Sequence, residues 1–332
     1  MMKLIKITTD FKLIILSLAT ILFVQSPVYC QNEKSNQDKN QESIIRIDST
    51  LVNVPTIVSD RDGRYVTNLK KDDFRLFENG IEQEIAFFQP VEQPFTMLLL
   101  LDVSGSMYND FATINDASDT FLSQLRPDDY LSAAAFNDSV NVLFKFSSVR
   151  EIKDKKRFDL KFTGSLGDTM IYDAVDFALD KMKKIQSRKK AIILFSDGEG
   201  VGRYASAKST LRDAEEQKTI VYTVQFDTFV VPPNYKIGKS EAEKIRQSKE
   251  IATLYMTALA ARTGGRHYHL KDIANLETTF REIAGELSQQ YSLGYYPKEQ
   301  PETSQERQIK VKVTKPNLSV RARASYVAQA KK

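Results

Sequence analysis

The feature that most constrains this chain is a series of uninterrupted apolar runs, separated by segments with helical periodicity. The runs are "FTMLLLLD", "KKAIILFSD" and "KTIVYTVQFD". Strands that are covered on both faces are apolar along their whole length, as in parallel sheets. Because such strands alternate here with helical segments, the sequence predicts an α/β fold with a doubly wound, mostly parallel sheet.

The helical segments between these runs show apolar residues at the spacing of one helix face. Three stripes are Met107, Phe111, Ile114, Phe121, Leu122 and Leu125; Ile171, Ala174, Val175, Ala178, Leu179 and Met182; and Ile245, Ile251, Leu254, Tyr255, Ala258 and Leu259. A last helix is marked by Leu276, Phe280, Ile283 and Leu287. The segment "DYLSAAAFNDSVNVLFKFS" breaks the alternation. It predicts two strands around a turn, and hence one antiparallel edge strand.

The regions on either side of this α/β part have the alternating pattern of half-buried strands. In the first of them, Asn79-Gly80 separates two strand-like runs and is a strong hairpin signal. "DRDG" also resembles half of a calcium loop, but no acidic residue closes that loop, so a turn is favoured. Each region has too few strands to fold alone. We therefore expect 44–93 and 291–328 to form one β-domain, with the α/β domain at 94–290 inserted between them.

The N-terminus has the pattern of a secretory signal peptide. Three lysines precede the apolar run "LIILSLATILFV", and a polar stretch follows. The predicted signal peptide is 1–30 with cleavage near Cys30, and the alternative is an uncleaved N-terminal anchor. Residues 31–43 are predicted to be a disordered linker. The processed chain would be periplasmic or secreted, without a stable membrane span.

The charge balance argues against one class of partner. The chain has 47 basic and 43 acidic residues, a net charge of +4. Binding to nucleic acid usually needs a clustered basic surface, and no such stripe is visible in the sequence. We expect a protein partner and no nucleic acid.

Small oxygen-bearing side chains follow two of the predicted strands. Asp102, Ser104 and Ser106 follow the first strand of the α/β part, Asp197 follows another, and Thr169 opens a helix. In a doubly wound sheet, ligands bind beyond the carboxyl ends of the strands. Carboxylates and hydroxyls are hard ligands, which suit Mg²⁺, Mn²⁺ or Ca²⁺. The sequence predicts a divalent metal site at this edge.

This pattern resembles the metal-ion-dependent adhesion site (MIDAS) of the von Willebrand factor A (VWA) domain, DxSxS…T…D. All five positions are present in order, and the resemblance covers roughly 94–290. The flanking stretches "VTNLKKDDFRLFENGIEQEIAFF" and "VRARASYVA" resemble those of the bacterial VWFA-related secreted family. One departure is Asp168, which stands where many VWA domains have a small residue. It either adds a ligand or caps the following helix.

The resemblance implies an adhesion or assembly module that is not an enzyme. In such a site the two serines coordinate the ion directly, the threonine joins in one of two states, and the aspartates bind directly or through water. An aspartate or glutamate of a partner protein fills the open position. A metal that only steadies the loops remains an alternative role.

Two other chemistries remain open from the residues alone. A Mg²⁺-dependent phosphotransferase or hydrolase could use Asp102 as its nucleophile, but such enzymes want a second carboxylate two residues later, where this chain has Ser104. A zinc pair at His267 and His269 is conceivable because both lie on one face of a short strand. No third ligand is evident in the sequence, so two strand residues without a metal are favoured.

Overall fold

The computed structural model describes residues 51–91, 93–153, 169–185, 189–217, 219–227, 238–299 and 302–328. All of them belong to one compact unit, Asp48–Lys332. The predicted signal peptide, the predicted linker and Asp168 lie outside the described residues. No helix within these ranges is long and apolar enough to cross a membrane.

The secondary structure follows the predicted alternation of strands and helices. The strands are β1 (Val52–Ser59), β2 (Phe74–Glu78), β3 (Ile81–Gln83), β4 (Ile85–Gln89), β5 (Phe95–Asp102), β6 (Tyr130–Phe136), β7 (Val140–Ser148), β8 (Lys189–Ser196), β9 (Thr219–Phe226), β10 (His267–Leu270), β11 (Tyr291–Tyr295), β12 (Gln305–Val313), β13 (Ser319–Ala322) and β14 (Ser325–Ala328). The α-helices are α1 (Phe111–Gln124), α2 (Val149–Lys153), α3 (Ile171–Lys183), α4 (Ala207–Glu216), α5 (Lys239–Thr263) and α6 (Leu276–Ser288).

The central sheet has six strands in the order β10-β9-β8-β5-β6-β7. Neighbouring strands are parallel except for β7, which runs antiparallel to β6 at one edge. This confirms the predicted fold class, including the single antiparallel edge strand. The strand order reverses between β5 and β8, and this is where a doubly wound sheet leaves a crevice for ligands.

Helices cover both faces of the central sheet, so its strands are apolar throughout. On one face α1 and α6 pack together, with the rings of Phe121 and Phe280 in edge contact at 5.7 Å between centroids. On the other face lie α3, α4 and α5. The side chains of β5 from Phe95 to Asp102 are all buried, which explains the uninterrupted apolar run in the sequence.

The flanking strands form two further antiparallel sheets, a number that the sequence does not predict. Their orders are β13-β1-β11-β4 and β14-β12-β2-β3, so both sheets join strands from before and after the α/β part. Strands β2 and β3 form the predicted hairpin, in which Asn79 and Gly80 have φ of 47° and 83°. Two positive φ angles are what a tight type I′ turn requires. The exact limits of a separate β-domain stay a prediction.

One predicted helix face is wrong at two of its residues. Ile251 and Leu254 were expected on the buried stripe of α5, but they are 60% and 64% exposed. The face that packs on the sheet is turned toward Ala252, Met256 and Ala260. Tyr255 and Leu259 are buried as predicted, so Ile251 and Leu254 alone lie outside the packed face.

Candidate metal site

The candidate site lies at the carboxyl edge of the central sheet, where β5 and β8 are parallel neighbours. β5 ends at Asp102 and β8 ends at Ser196, with Asp197 directly after it. The register pairs Leu101 with Phe195, so both strands end at the same level. The sheet itself therefore brings the two aspartates together, at the reversal of strand order.

Asp102 is fully buried and held at both oxygens. Its Oδ1 accepts a hydrogen bond from the backbone N–H of Ser104 at 2.9 Å, which closes a tight turn after the strand. Its Oδ2 accepts from the Ser196 hydroxyl at 2.6 Å. The exposure of Asp102 is 0%. The carboxylate is therefore held in one orientation by the turn after β5 and by the neighbouring strand β8.

A chain of hydroxyl groups connects this turn to the loop after β8. The Ser104 and Ser106 oxygens lie 3.0 Å apart, and the Ser106 hydroxyl donates to Asp197 Oδ2 at 2.8 Å. The other oxygen of Asp197 accepts from the backbone N–H of Glu199 at 3.0 Å. Four of the five predicted ligands thus form one hydrogen-bonded cluster, while Ser106 remains exposed to solvent.

Thr169 reaches the same edge through its main chain. Its carbonyl oxygen accepts from the backbone N–H of Val201 at 2.8 Å, which ties it to the loop after β8. The next residue, Met170, donates its N–H to the carbonyl of Asn137 at 2.8 Å, after β6. Thr169 is 9% exposed. The structure therefore places it against the loop that begins with Asp197.

Two glycines allow these loops to lie so close. Gly198 has φ of +80°, and a Cβ there would approach Met256 Sδ to 2.8 Å and Ala252 Cβ to 3.0 Å. A Cβ at Gly200 would lie 2.5 Å from the carbonyl oxygen of Thr169. Backbone conformation and space both require glycine at position 198, and close approach requires it at 200.

The electrostatics of the cluster favour a cation. Burial, followed by repulsion from Asp197, raises the pKa of Asp102 to about 7. Burial and the same charge also raise the pKa of Glu199. A divalent cation among these oxygens would relieve the repulsion and compensate the lost hydration. The donor set, two carboxylates and three hydroxyls, fits Mg²⁺, Mn²⁺ or Ca²⁺.

Ser196, which anchors Asp102 from the neighbouring strand, was not predicted as a site residue. Its role depends on the register between β5 and β8, and nothing in the local sequence shows which strand lies beside β5. The signal that could have found it is its position: a serine ends a run of apolar residues directly before Asp197. Glu199 was also missed, although it follows Asp197 by only two residues.

Each of the two histidines has one ring nitrogen beside a neighbouring side chain. His267 Nδ1 lies 2.9 Å from the hydroxyl of Thr223, and burial lowers the pKa of His267 to about 4. His269 Nε2 lies 3.2 Å from Asp227 Oδ2. Within the described ranges, no group of three or more His, Cys, Asp or Glu side chains is arranged to hold a metal ion. The MIDAS-like cluster contains only two such residues and depends on hydroxyl ligands instead.

A family model described as the von Willebrand factor type A domain matches residues 97–199. This part of the chain is similar to a VWA domain. The match covers less than half of the chain, and it includes the five predicted ligands. VWA domains generally mediate protein–protein interactions, and those with a MIDAS bind divalent metals. A comparison with curated proteins found no match.

Solved structures with a related arrangement include a von Willebrand factor type A protein from Catenulispora acidiphila. It is 10% identical with a TM-score of 0.44, over 78% of this chain and 74% of that chain. Proximal thread matrix protein 1 from the mussel byssus, with a zinc-occupied MIDAS motif, is 12% identical with a TM-score of 0.45. The match covers 63% of this chain and 49% of that chain. An aerotolerance-related membrane protein from Bacteroides fragilis, with multiple mutations to serines, is 12% identical with a TM-score of 0.41. The match covers 58% of this chain and 98% of that chain. Likeness at this level does not indicate what this protein binds.

Proposed function

We propose that this protein is an exported, non-catalytic adhesion or assembly module that binds a protein partner at a MIDAS. The side chains of Asp102, Ser104, Ser106, Thr169 and Asp197 hold the divalent ion, and an aspartate or glutamate of the partner completes the coordination. The observation that carries the proposal is the hydrogen-bonded cluster that joins the turn after β5 to the loop after β8.

The composition of the cluster supports capture of an acidic side chain. Three of the five ligands are neutral hydroxyls, so two carboxylates leave a divalent ion with residual positive charge. A bound Mg²⁺, Mn²⁺ or Ca²⁺ supplies the charge that attracts the partner's carboxylate. Ser106 is exposed, so this end of the cluster is open to solvent and to a partner.

The environment of Asp102 argues against the phosphotransferase alternative. Asp102 is 0% exposed and both of its oxygens accept hydrogen bonds, which suits a carboxylate that holds an ion through water or a neighbouring hydroxyl better than one that attacks a substrate directly. The residue two positions later is Ser104, so the carboxylate that would act as the acid or base is missing there. These features favour a binding role for the same loops.

A pull-down from envelope extract tests the proposal, with the wild-type protein in Mg²⁺ or in EDTA. Asp102→Asn preserves the size of the side chain and removes its charge, so we expect it to lose the partners that wild type holds in Mg²⁺. Asp62→Ala is the matched control because the Asp62 side chain is 72% exposed, in the turn after β1. Partners that persist equally in EDTA and with Asp102→Asn would place binding elsewhere. If wild type hydrolyses a phosphoester and Asp102→Asn does not, the result would support the phosphotransferase or hydrolase alternative.

A further inference from the structure

The loop between Asp197 and α4 is joined directly to the candidate metal site. Val201 donates its N–H to the Thr169 carbonyl at 2.8 Å, and its own carbonyl accepts from the N–H of Tyr172 at 3.3 Å. Its side chain is 46% exposed. The first half of the loop therefore forms one rim of the site and presents an apolar side chain there.

The second half of the loop is held by a single carboxylate. Asp173, in the first turn of α3, accepts three backbone hydrogen bonds, from Arg203 at 2.8 Å, Tyr204 at 2.9 Å and Ala205 at 2.7 Å. The loop then ends at Ser206, whose side chain caps α4. Charge-assisted bonds of this kind are stronger than neutral ones, so the backbone of this turn is firmly fixed.

The fixed turn displays an aromatic ring in water. Tyr204 is 90% exposed, the highest exposure among the large apolar side chains of the described residues. A phenol ring on a rigid backbone contributes contact area with little further loss of conformational freedom. Tyrosine is also enriched among the residues that dominate binding energy at protein interfaces. Arg203 beside it is exposed as well and adds a positive charge at this rim, next to the carboxylate of Asp173.

We propose that the loop from Val201 to Tyr204 is the specificity surface of the site and that Tyr204 contacts an apolar side chain of the partner. This inference rests on the proposed function, because the acidic residue of the partner is held at the metal. The partner segment then combines two features: an aspartate or glutamate, and an aromatic or large aliphatic residue a short distance away.

The loop connections imply a short spacing between these two features. Val201 is hydrogen-bonded to Thr169, and Asp173, which holds the Tyr204 turn, lies four residues after Thr169 along the chain. We therefore expect the two features to be close together in the partner. An extended peptide advances about 3.3 Å per residue, so a separation of two to four residues spans about 7–13 Å. The positive charge of Arg203 disfavours a basic residue at the same place in the partner.

The test uses an array of immobilised nine-residue peptides, each with one central glutamate in a glycine–serine background. Phe, Ser or Lys is placed two, three or four positions before or after the glutamate. The purified protein is applied in Mg²⁺ and in EDTA. We expect Mg²⁺-dependent binding that is about fivefold stronger with Phe than with Ser at one of these spacings, and weakest with Lys.

The variant Tyr204→Ala should remove the preference for Phe and leave the Mg²⁺-dependent binding of the Ser peptides within about twofold of wild type. Tyr296→Ala is the matched control, since Tyr296 is 51% exposed and follows β11, a strand of the flanking sheets. It should retain the preference. Equal binding of Phe and Ser peptides by wild type, or a preference that survives Tyr204→Ala, overturns this inference alone. The absence of Mg²⁺-dependent binding to every peptide overturns the proposed function and this inference with it.

Discussion

The hydroxyl of Ser106 donates a hydrogen bond to Asp197 Oδ2 at 2.8 Å, across a sequence separation of 91 residues. The two residues belong to loops that follow neighbouring parallel strands, so this bond depends on the strand order of the central sheet. It connects the serine-rich turn to the second carboxylate and defines the centre of the candidate site.

The first prediction concerns Gly198, next to Asp197. Gly198→Ala should lower the free energy of unfolding by about 1–3 kcal/mol, because a side chain is strained at positive φ and its Cβ would collide with α5 at Met256 and Ala252. Urea unfolding measures the loss. Gly63→Ala is the control, since Gly63 has φ of +79° but nothing within 4 Å of an added Cβ. Equal losses at both positions would show that packing against α5 contributes nothing.

The second prediction concerns pH and Lys189. Its ammonium group donates to the backbone carbonyls of Pro90 and Gln290, at the two points where the chain passes between the flanking strands and the α/β part. Burial, and then repulsion from Arg126, lowers the pKa of Lys189 to about 7. The unfolded chain therefore binds more protons than the folded one between about pH 7 and 10.5. Within that window the free energy of unfolding should rise with pH. The rise is about 1.4 kcal/mol for each unit by which the pKa of Lys189 is lower in the folded chain than in the unfolded one.

Chemical unfolding at several pH values tests this dependence. Lys189→Met should remove the rise between pH 7 and pH 10, so the stability difference between wild type and variant grows with pH in favour of wild type. Lys310→Met is the control because Lys310 is exposed on β12. A difference between wild type and Lys189→Met that stays constant from pH 7 to pH 10 would contradict the account.

Much of the fold is readable from the sequence, because each signal is local. The uninterrupted apolar runs specify strands that are covered on both faces, and Asn79-Gly80 specifies the β2–β3 hairpin through its backbone angles. The motif Asp102 to Ser106 predicts the turn at the end of β5 for the same reason. These features depend on residues that are close together in the chain.

The parts that escaped prediction depend on which elements become neighbours. The buried face of α5 was misassigned at Ile251 and Leu254, because apolar residues occur on more than one side of that helix and only packing decides which side faces the sheet. Ala252 and Met256 lie inward, while Ile251 and Leu254 remain in water. Ser196 was missed because its bond to Asp102 exists only once β8 lies beside β5.

The third prediction concerns the flanking sheets, for which we expect one shared core built from 44–93 and 291–328. Arg307 on β12 forms an ion pair with Glu78 at the end of β2, and both side chains are buried, with exposures of 3% and 4%. Arg307→Met leaves the Glu78 charge buried without its cation and should lower the free energy of unfolding by about 3–5 kcal/mol. Arg75→Met, at the exposed pair with Glu82, should change it little. Similar effects of the two variants would mean that the two segments do not share a core.

The fourth prediction concerns export. The basic start and the apolar run predict removal of residues 1–30, and intact-mass analysis of protein recovered from the cell envelope should give a chain that begins at Gln31. A chain that retains Met1 and is released only by detergent would identify an uncleaved anchor instead.

The most direct test of the metal site is a titration with Mn²⁺, followed by electron paramagnetic resonance of the free ion. Wild type should bind about one ion per chain, displaceable by Mg²⁺. Asp102→Asn and Ser106→Ala should each weaken binding by about tenfold or more, while Asp62→Ala binds as wild type does. Failure of wild type to bind Mn²⁺, or equal binding by wild type and Asp102→Asn, would contradict the assignment of these side chains as ligands.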